Sequence, residues 1–187
     1  MRAAVAARID FIQIREKNLS ANVLYQLSAR AADLTGGTTT RLLINDRSDL
    51  ALAAGADGVH LTTSSLPTDV VRQTFGDRFL IGVSTHSLEE ALLARRDGAD
   101  FAVFGPVFET PSKREYGAAL GLAKLAQVSS ELSPFPVFAL GGVTTSNVAD
   151  CLRTGARGIA GISMLDEPER LGYIVGKIRR SFETGQT

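Results

Sequence analysis

The stretch Ser87-Leu-Glu-Glu-Ala-Leu-Leu-Ala-Arg-Arg-Asp-Gly-Ala-Asp-Phe-Ala-Val-Phe-Gly105 contains one complete unit of the architecture. Ser87 and Glu90 stand at capping-box spacing, in which a serine and a glutamate three residues on satisfy N–H groups at the start of a helix. The apolar residues that follow recur at helical period until Gly98, a residue suited to the left-handed turn that closes a helix. Phe101–Gly105 is then apolar without alternation. Such a strand must be covered on both faces, which is the situation in a parallel sheet flanked by helices.

The same unit recurs in both directions. Strands are predicted at Phe11–Arg15, Leu42–Asp46, Gly58–Leu61, Phe79–Val83, Phe101–Gly105, Val137–Leu140 and Gly158–Ser163. They start about 24 residues apart, near the length of a strand plus a crossover helix. Ser20 caps a predicted helix that stops at Gly36-Gly37, and Pro67 is placed to open another. Gly55-Ala56-Asp57, Gly98-Ala99-Asp100 and Gly155-Ala156-Arg157 each close a helix and lead into a strand, a repeat with a turn-forming role and no chemistry of its own. The alternation alone leaves two folds open, a closed β/α barrel and a doubly wound sheet.

Composition narrows the function. The chain has 187 residues, 20 Lys+Arg against 20 Asp+Glu, one cysteine and no tryptophan. That length suits one domain over residues 1–187, with Glu183 to Thr187 expected to fray. Balanced charge argues against nucleic acid or an anionic membrane as partner, since both select concentrated Lys and Arg. No apolar run is long enough to span a bilayer, and the first residues do not read as a signal or transit peptide. A lone Cys151 suits a reducing compartment, so a cytoplasmic protein is expected. Association in pairs through the helices is compatible with the pattern.

In parallel β/α folds, ligands bind where strands end and helices begin. Here those ends are polar. Alternation sends Gln13, Arg15 and Lys17 to one side of the first strand, where they suit an anion or, in the plainer reading, a solvated strand end. Asn45-Asp46-Arg47 follows the second strand; the carboxylate suits Mg²⁺ and the amide a phosphate, or the pair simply turns the chain. The fourth strand leads into Ser84-Thr85-His86, and His86 suits either a helix cap or proton transfer. The fifth leads into a loop carrying Thr110, Ser112 and Lys113. Gly141-Gly142 and Gly161-Ile162-Ser163 end the last two strands and expose backbone N–H groups, a neutral phosphate cradle. Two anion-binding regions result, one cationic and one built of backbone, which suits chemistry on phosphorylated small molecules.

Taken together, QIREK, NDR, GVSTH, FGPVFETPSK, ALGGV and GIS resemble the thiamine phosphate synthase and thiazole tautomerase family over roughly residues 10 to 165. The resemblance implies a (β/α)8 barrel of the TIM type and a role in thiamine biosynthesis. The synthases join hydroxymethylpyrimidine diphosphate to a thiazole phosphate and release pyrophosphate with Mg²⁺; the tautomerases isomerise a thiazole carboxylate phosphate. By the same resemblance, Gln13, Arg15, Lys17, Asn45 and Lys113 hold the diphosphate, Asp46 is a magnesium ligand, and Ser84 lies near the pyrimidine and its leaving group. Thr110, Ser112, Gly142, Ile162 and Ser163 fall on the thiazole phosphate side.

One segment departs from the synthases. They carry a second magnesium carboxylate after the third strand, where this chain has Ser65, so weaker Mg²⁺ binding is expected. Tautomerases diverge in the same segment, and in that reading His86 is the proton shuttle. The complete diphosphate set places the synthase first. The tautomerase and a non-catalytic binder of thiazole or thiamine phosphates remain as alternatives.

Only seven strands are visible, and the family begins with a strand and helix of which residues 1–9 supply just the helix tail. A gap is therefore expected between Phe11–Arg15 and the last strand, to be explained by an upstream start, by a neighbouring chain, or by an open domain.

Overall fold

The computed structural model describes residues 1–109 and 118–184. Seven strands, β1 (Phe11–Ile14), β2 (Arg41–Asn45), β3 (Gly58–Leu61), β4 (Leu80–Thr85), β5 (Phe101–Phe104), β6 (Val137–Leu140) and β7 (Gly158–Ala160), pair in parallel in chain order. Helices α1 (Arg2–Ala6), α2 (Ala21–Thr35), α3 (Ser48–Ala53), α4 (Thr68–Phe75), α5 (Leu88–Arg96), α6 (Gly121–Leu132), α7 (Val148–Arg153) and α8 (Leu171–Thr184) alternate with them.

The sheet curls. The rings of Phe11 on β1 and Phe101 on β5 are 5.0 Å apart, and those of Phe11 and Phe138 on β6 are 5.9 Å apart. In a flat sheet β1 and β5 would be separated by about 19 Å, four strand spacings. The architecture is thus a TIM-type α/β barrel with seven strands, not a doubly wound sheet. The expected gap is present: among the described residues no strand lies between β1 and β7, and these are the two ends of the sheet. On the helical layer α1 packs against α8. Arg179 of α8 donates to the Arg8 carbonyl at 2.5 Å and lies 3.5 Å from the Asp10 carboxylate, fastening the last helix to the entry of β1.

Alternation on the strands divides two cores. Leu42, Ile44, Val59, Leu61, Ile81, Ala102, Phe104, Val137 and Ala139 face the helices and are at most 2% exposed. Inside, Phe11, Phe101 and Phe138 form an aromatic floor together with Leu43, Leu80, Val103 and Leu140. Side chains one pleat above this floor, Gln13, Asn45, His60 and Ser84, face the mouth of the barrel.

Local signals behave as their chemistry requires. Ser20 accepts from the Val23 N–H, and Ser87 accepts from the Glu90 N–H. Asp57 and Asp100 of the Gly-Ala-Asp repeats accept from the N–H groups of Leu42 and Ile81, which explains the aspartate at the third position. Some boundaries differ from expectation. Asp46 leaves the sheet with φ 65, its N–H donating to the His60 carbonyl. The last strand ends at Ala160 rather than Ser163, and Ser163–Leu165 forms a short 3-10 turn. Helix α8 packs Phe182 against the main core and extends to Thr184; residues 185–187 of the expected frayed tail lie outside the described residues.

Candidate active site

The mouth of the barrel is built from the strand ends in order. At β1 and β2, Gln13 Nε2 donates to Asn45 Oδ1 at 3.3 Å. Arg15 and Lys17 follow Gln13 and are exposed at the rim. Arg15 is near enough to the interior that its charge helps to depress the pKa of His60 on β3. Of the five residues expected to hold a diphosphate, Gln13 and Asn45 are in contact across two neighbouring strand ends, and Arg15 and Lys17 follow on the segment after β1. Lys113, Thr110 and Ser112 lie outside the described residues.

Arg47 is spent elsewhere. Its Nε and Nη2 bind Asp49 in a bidentate pair at 2.8 and 2.6 Å, raising the guanidinium pKa and lowering that of the carboxyl.

In the middle of the sheet, Ser84 Oγ is 2.8 Å from His60 Nε2. His60 is 7% exposed. Burial, with a smaller contribution from Arg15, pushes its pKa down to about 4, so the ring is neutral near pH 7. His60 carries no local signal of this role, because the residue sits inside an apolar strand and its partner lies 24 residues on.

His86 is held by both its ring and its backbone. Its Nδ1 donates to the Gly105 carbonyl at 2.5 Å, and its backbone N–H donates to Glu90 Oε2 at 2.6 Å. The ring contact fastens the start of α5 to the end of β5, and the backbone contact closes the first turn of α5 onto the loop before it. The capping box thus reaches one residue further back than its spacing suggests.

At the far end, the late strands present backbone. Among the described residues the N–H groups of Gly142, Val143, Ile162 and Ser163 make no backbone hydrogen bond. Gly142 has φ 63, and a Cβ there would meet the Glu109 carbonyl at 2.7 Å. Glycine is therefore needed both for the turn and for the close approach of the preceding loop. Asn147 secures the cradle by donating to the Gly142 carbonyl and accepting from the Thr144 N–H. Ile162 is 78% exposed and Ser163 is exposed beside it. Because the sheet curls, this neutral region and the cationic region occupy the two ends of the sheet and face one mouth.

A magnesium site can be tested against the donors present. Among the described residues no three His, Cys, Asp or Glu side chains cluster as a metal cage. Asp46 offers one exposed carboxylate on the rim. Ser65 Oγ accepts from the Thr62 N–H at 2.8 Å and lies 3.2 Å from Thr62 Oγ1, so this hydroxyl closes its own loop. A cavity of about 530 Å³ borders both Asp46 and Ser65. Mg²⁺ is commonly held by one or two carboxylates together with substrate phosphates and water. The donor set fits an ion delivered with a diphosphate and does not form a site by itself.

No helix among the described residues is long and apolar enough to cross a membrane. Residues 1–165 match the family described as thiamine monophosphate synthase. A putative thiamine-phosphate synthase from Geobacter sulfurreducens is 46% identical over 165 residues, spanning 88% of this chain and 77% of that one. A thiamine-phosphate synthase from Chloroflexus aurantiacus is 40% identical over 163 residues, with 87% and 74% covered. The structure of a thiamine phosphate pyrophosphorylase from Pyrococcus furiosus superposes with a TM-score of 0.87 at 33% identity, covering all of this chain and 89% of that one.

Proposed function

The chain belongs to the thiamine monophosphate synthase family, and from that premise we propose that it joins hydroxymethylpyrimidine diphosphate to a thiazole phosphate, giving thiamine phosphate and pyrophosphate. The observation that supports the reading is the pair of unlike anion regions at one mouth: side-chain donors on β1 and β2, and after β6 and β7 backbone N–H groups without a backbone partner among the described residues. The relatives carry the synthase name, which favours this reading over the tautomerase and over a binder without activity.

In the reaction the bond between the pyrimidine methylene and the diphosphate oxygen breaks, and the thiazole nitrogen supplies the electron pair for the new bond to that carbon. Gln13, Arg15, Lys17, Asn45 and Lys113 hold the diphosphate and stabilise the charge that builds on it as it leaves. Ser84 adds a hydrogen bond beside the leaving group. Gly142, Ile162 and Ser163, with Thr110 and Ser112, hold the thiazole phosphate and so aim the ring nitrogen at the methylene. Mg²⁺, held by Asp46 and the diphosphate, would neutralise part of the departing charge. No protein nucleophile is required. This agrees with Cys151, whose thiol is fully buried and pushed up to about 11 by burial.

The reading includes a cytoplasmic enzyme that associates in pairs through its helices, where Val23, Leu27 and Leu52 are exposed. Incubating the protein with both substrates and Mg²⁺ tests the main claim. Thiamine phosphate and pyrophosphate are expected in equal amounts, and absence of product overturns the reading.

A further inference from the structure

We propose that His60 is a positioning residue for the Ser84 hydroxyl: Nε2–H donates to Ser84 Oγ and turns the serine proton toward the substrate anion. The inference rests on the reading that a diphosphate binds at this end of the barrel.

The contact is built rather than incidental. His60 Nε2 lies 2.8 Å from Ser84 Oγ, and the residue is 7% exposed. The ring has a fitted seat. It lies 6.2 Å from the Phe101 ring, and a Cβ at Gly82 would come within 2.8 Å of His60 Nδ1 and 2.3 Å of Phe101. Any side chain at position 82 would displace the imidazole, so the glycine is part of the arrangement. The backbone is fixed as well, because the His60 carbonyl accepts the Asp46 N–H, and His60 is in register with Asn45 and Gly82.

The direction of the hydrogen bond follows from what Ser84 must do. A serine hydroxyl has one proton. If that proton is given to the imidazole, Ser84 offers only lone pairs to an anionic leaving group, which is repulsive. If the neutral imidazole donates instead, the serine proton remains for the diphosphate, in a charge-assisted bond stronger than a neutral one. The Nε2–H tautomer is also the intrinsically favoured form of a neutral histidine side chain. The opposite assignment, in which His60 activates Ser84 as a nucleophile, lacks the third group that orients the base: among the described residues His60 Nδ1 has no hydrogen-bond partner.

Two measurements test the proposal. Long-range ¹⁵N–¹H correlation of histidine-labelled protein at pH 7, with His86→Ala used to assign the two rings, is expected to show His60 protonated at Nε2. Protonation at Nδ1 overturns the proposal whether or not the protein is active. In kinetics, His60→Leu is expected to lower kcat about tenfold, less than the loss of about a hundredfold or more that follows removal of a transition-state donor itself, because the Ser84 hydroxyl remains, with KM for the thiazole phosphate unchanged. His60→Gln, which keeps an N–H near the same place and serves as the fold control, is expected to recover most of the rate. In a Ser84→Ala background His60→Leu is expected to add nothing, and losses that multiply overturn the coupling. Wild-type protein that makes no thiamine phosphate defeats the functional reading, while the tautomer still decides the inference about His60.

Discussion

Gln13 and Asn45 are joined by a 3.3 Å hydrogen bond between their side-chain amides. Gln13 stands on β1, one end of the seven-stranded sheet, so this bond holds an edge residue in the place proposed for the diphosphate. Asn45→Ala removes both a donor to the substrate and the anchor of Gln13. Steady-state kinetics are expected to show KM for the pyrimidine diphosphate raised about tenfold, equivalent to roughly 1.4 kcal/mol, with a smaller effect on the thiazole phosphate. Equal effects on both KM values would contradict the placement.

His86 is expected to be dispensable for chemistry. Its Nδ1–H bond to Gly105 joins α5 to the end of β5. His86→Ala is expected to cost about 1 kcal/mol of folding stability in urea titrations and to leave kcat within about threefold of wild type, well short of the loss that follows removal of an acid or base. A drop of a hundredfold or more would restore the role in proton transfer.

Acid should unfold the protein partly through His60. Its pKa in the folded state is about 4, below the usual 6.5, so the unfolded chain binds a proton that the folded chain refuses. The contribution is therefore full above pH 6.5 and is lost as pH falls from 6.5 to 4. About 2.5 pKa units correspond to about 3 kcal/mol. Urea midpoints measured across this range should fall more steeply for wild type than for His60→Gln, and parallel curves would contradict the burial assigned to the ring.

Much of this fold can be read from the sequence because its signals are local. Ser20 and Ser87 cap the helices expected of them, and the continuous apolar runs become strands covered on both faces. The strand ends are legible for the same reason: a polar residue after an apolar run has few places to go except the mouth. What escaped the sequence depends on distant partners. The His60–Ser84 bond joins two strands, and the turn of His86 toward Gly105 depends on how β5 leaves the sheet. Curling is likewise visible only once Phe11 meets Phe101 and Phe138.

Arg72 illustrates a long-range device with no functional signature. From α4 its guanidinium donates to the carbonyls of Gly98, Gly76 and Phe79 and to Asp100. These bonds clamp the lower ends of β4 and β5, opposite the mouth. Arg72→Met is expected to cost about 2 kcal/mol, chiefly because partly buried acceptors lose their donor. The rate per folded molecule should be unchanged, and an altered KM would show that the clamp reaches the site.

Ser65 closes its loop by accepting from the Thr62 N–H. A carboxylate can accept that bond with one oxygen and offer the other to a cation. Ser65→Asp is expected to lower the Mg²⁺ concentration for half-maximal rate by roughly fivefold, measured at saturating substrates. An unchanged requirement would contradict the placement of Ser65 beside the metal.

The division of the mouth into two unlike anion regions is tested most directly by steady-state kinetics of Arg15→Ala and Gly142→Ala with each substrate varied in turn. Arg15→Ala is expected to raise KM for the pyrimidine diphosphate by more than tenfold, the loss of a charge-assisted contact, and to leave the thiazole phosphate nearly unaffected. Gly142→Ala forces the cradle away from the Glu109 carbonyl and should do the reverse. If both variants raise both KM values alike, or if their preferences are exchanged, the two ends of the sheet do not hold the two substrates as described.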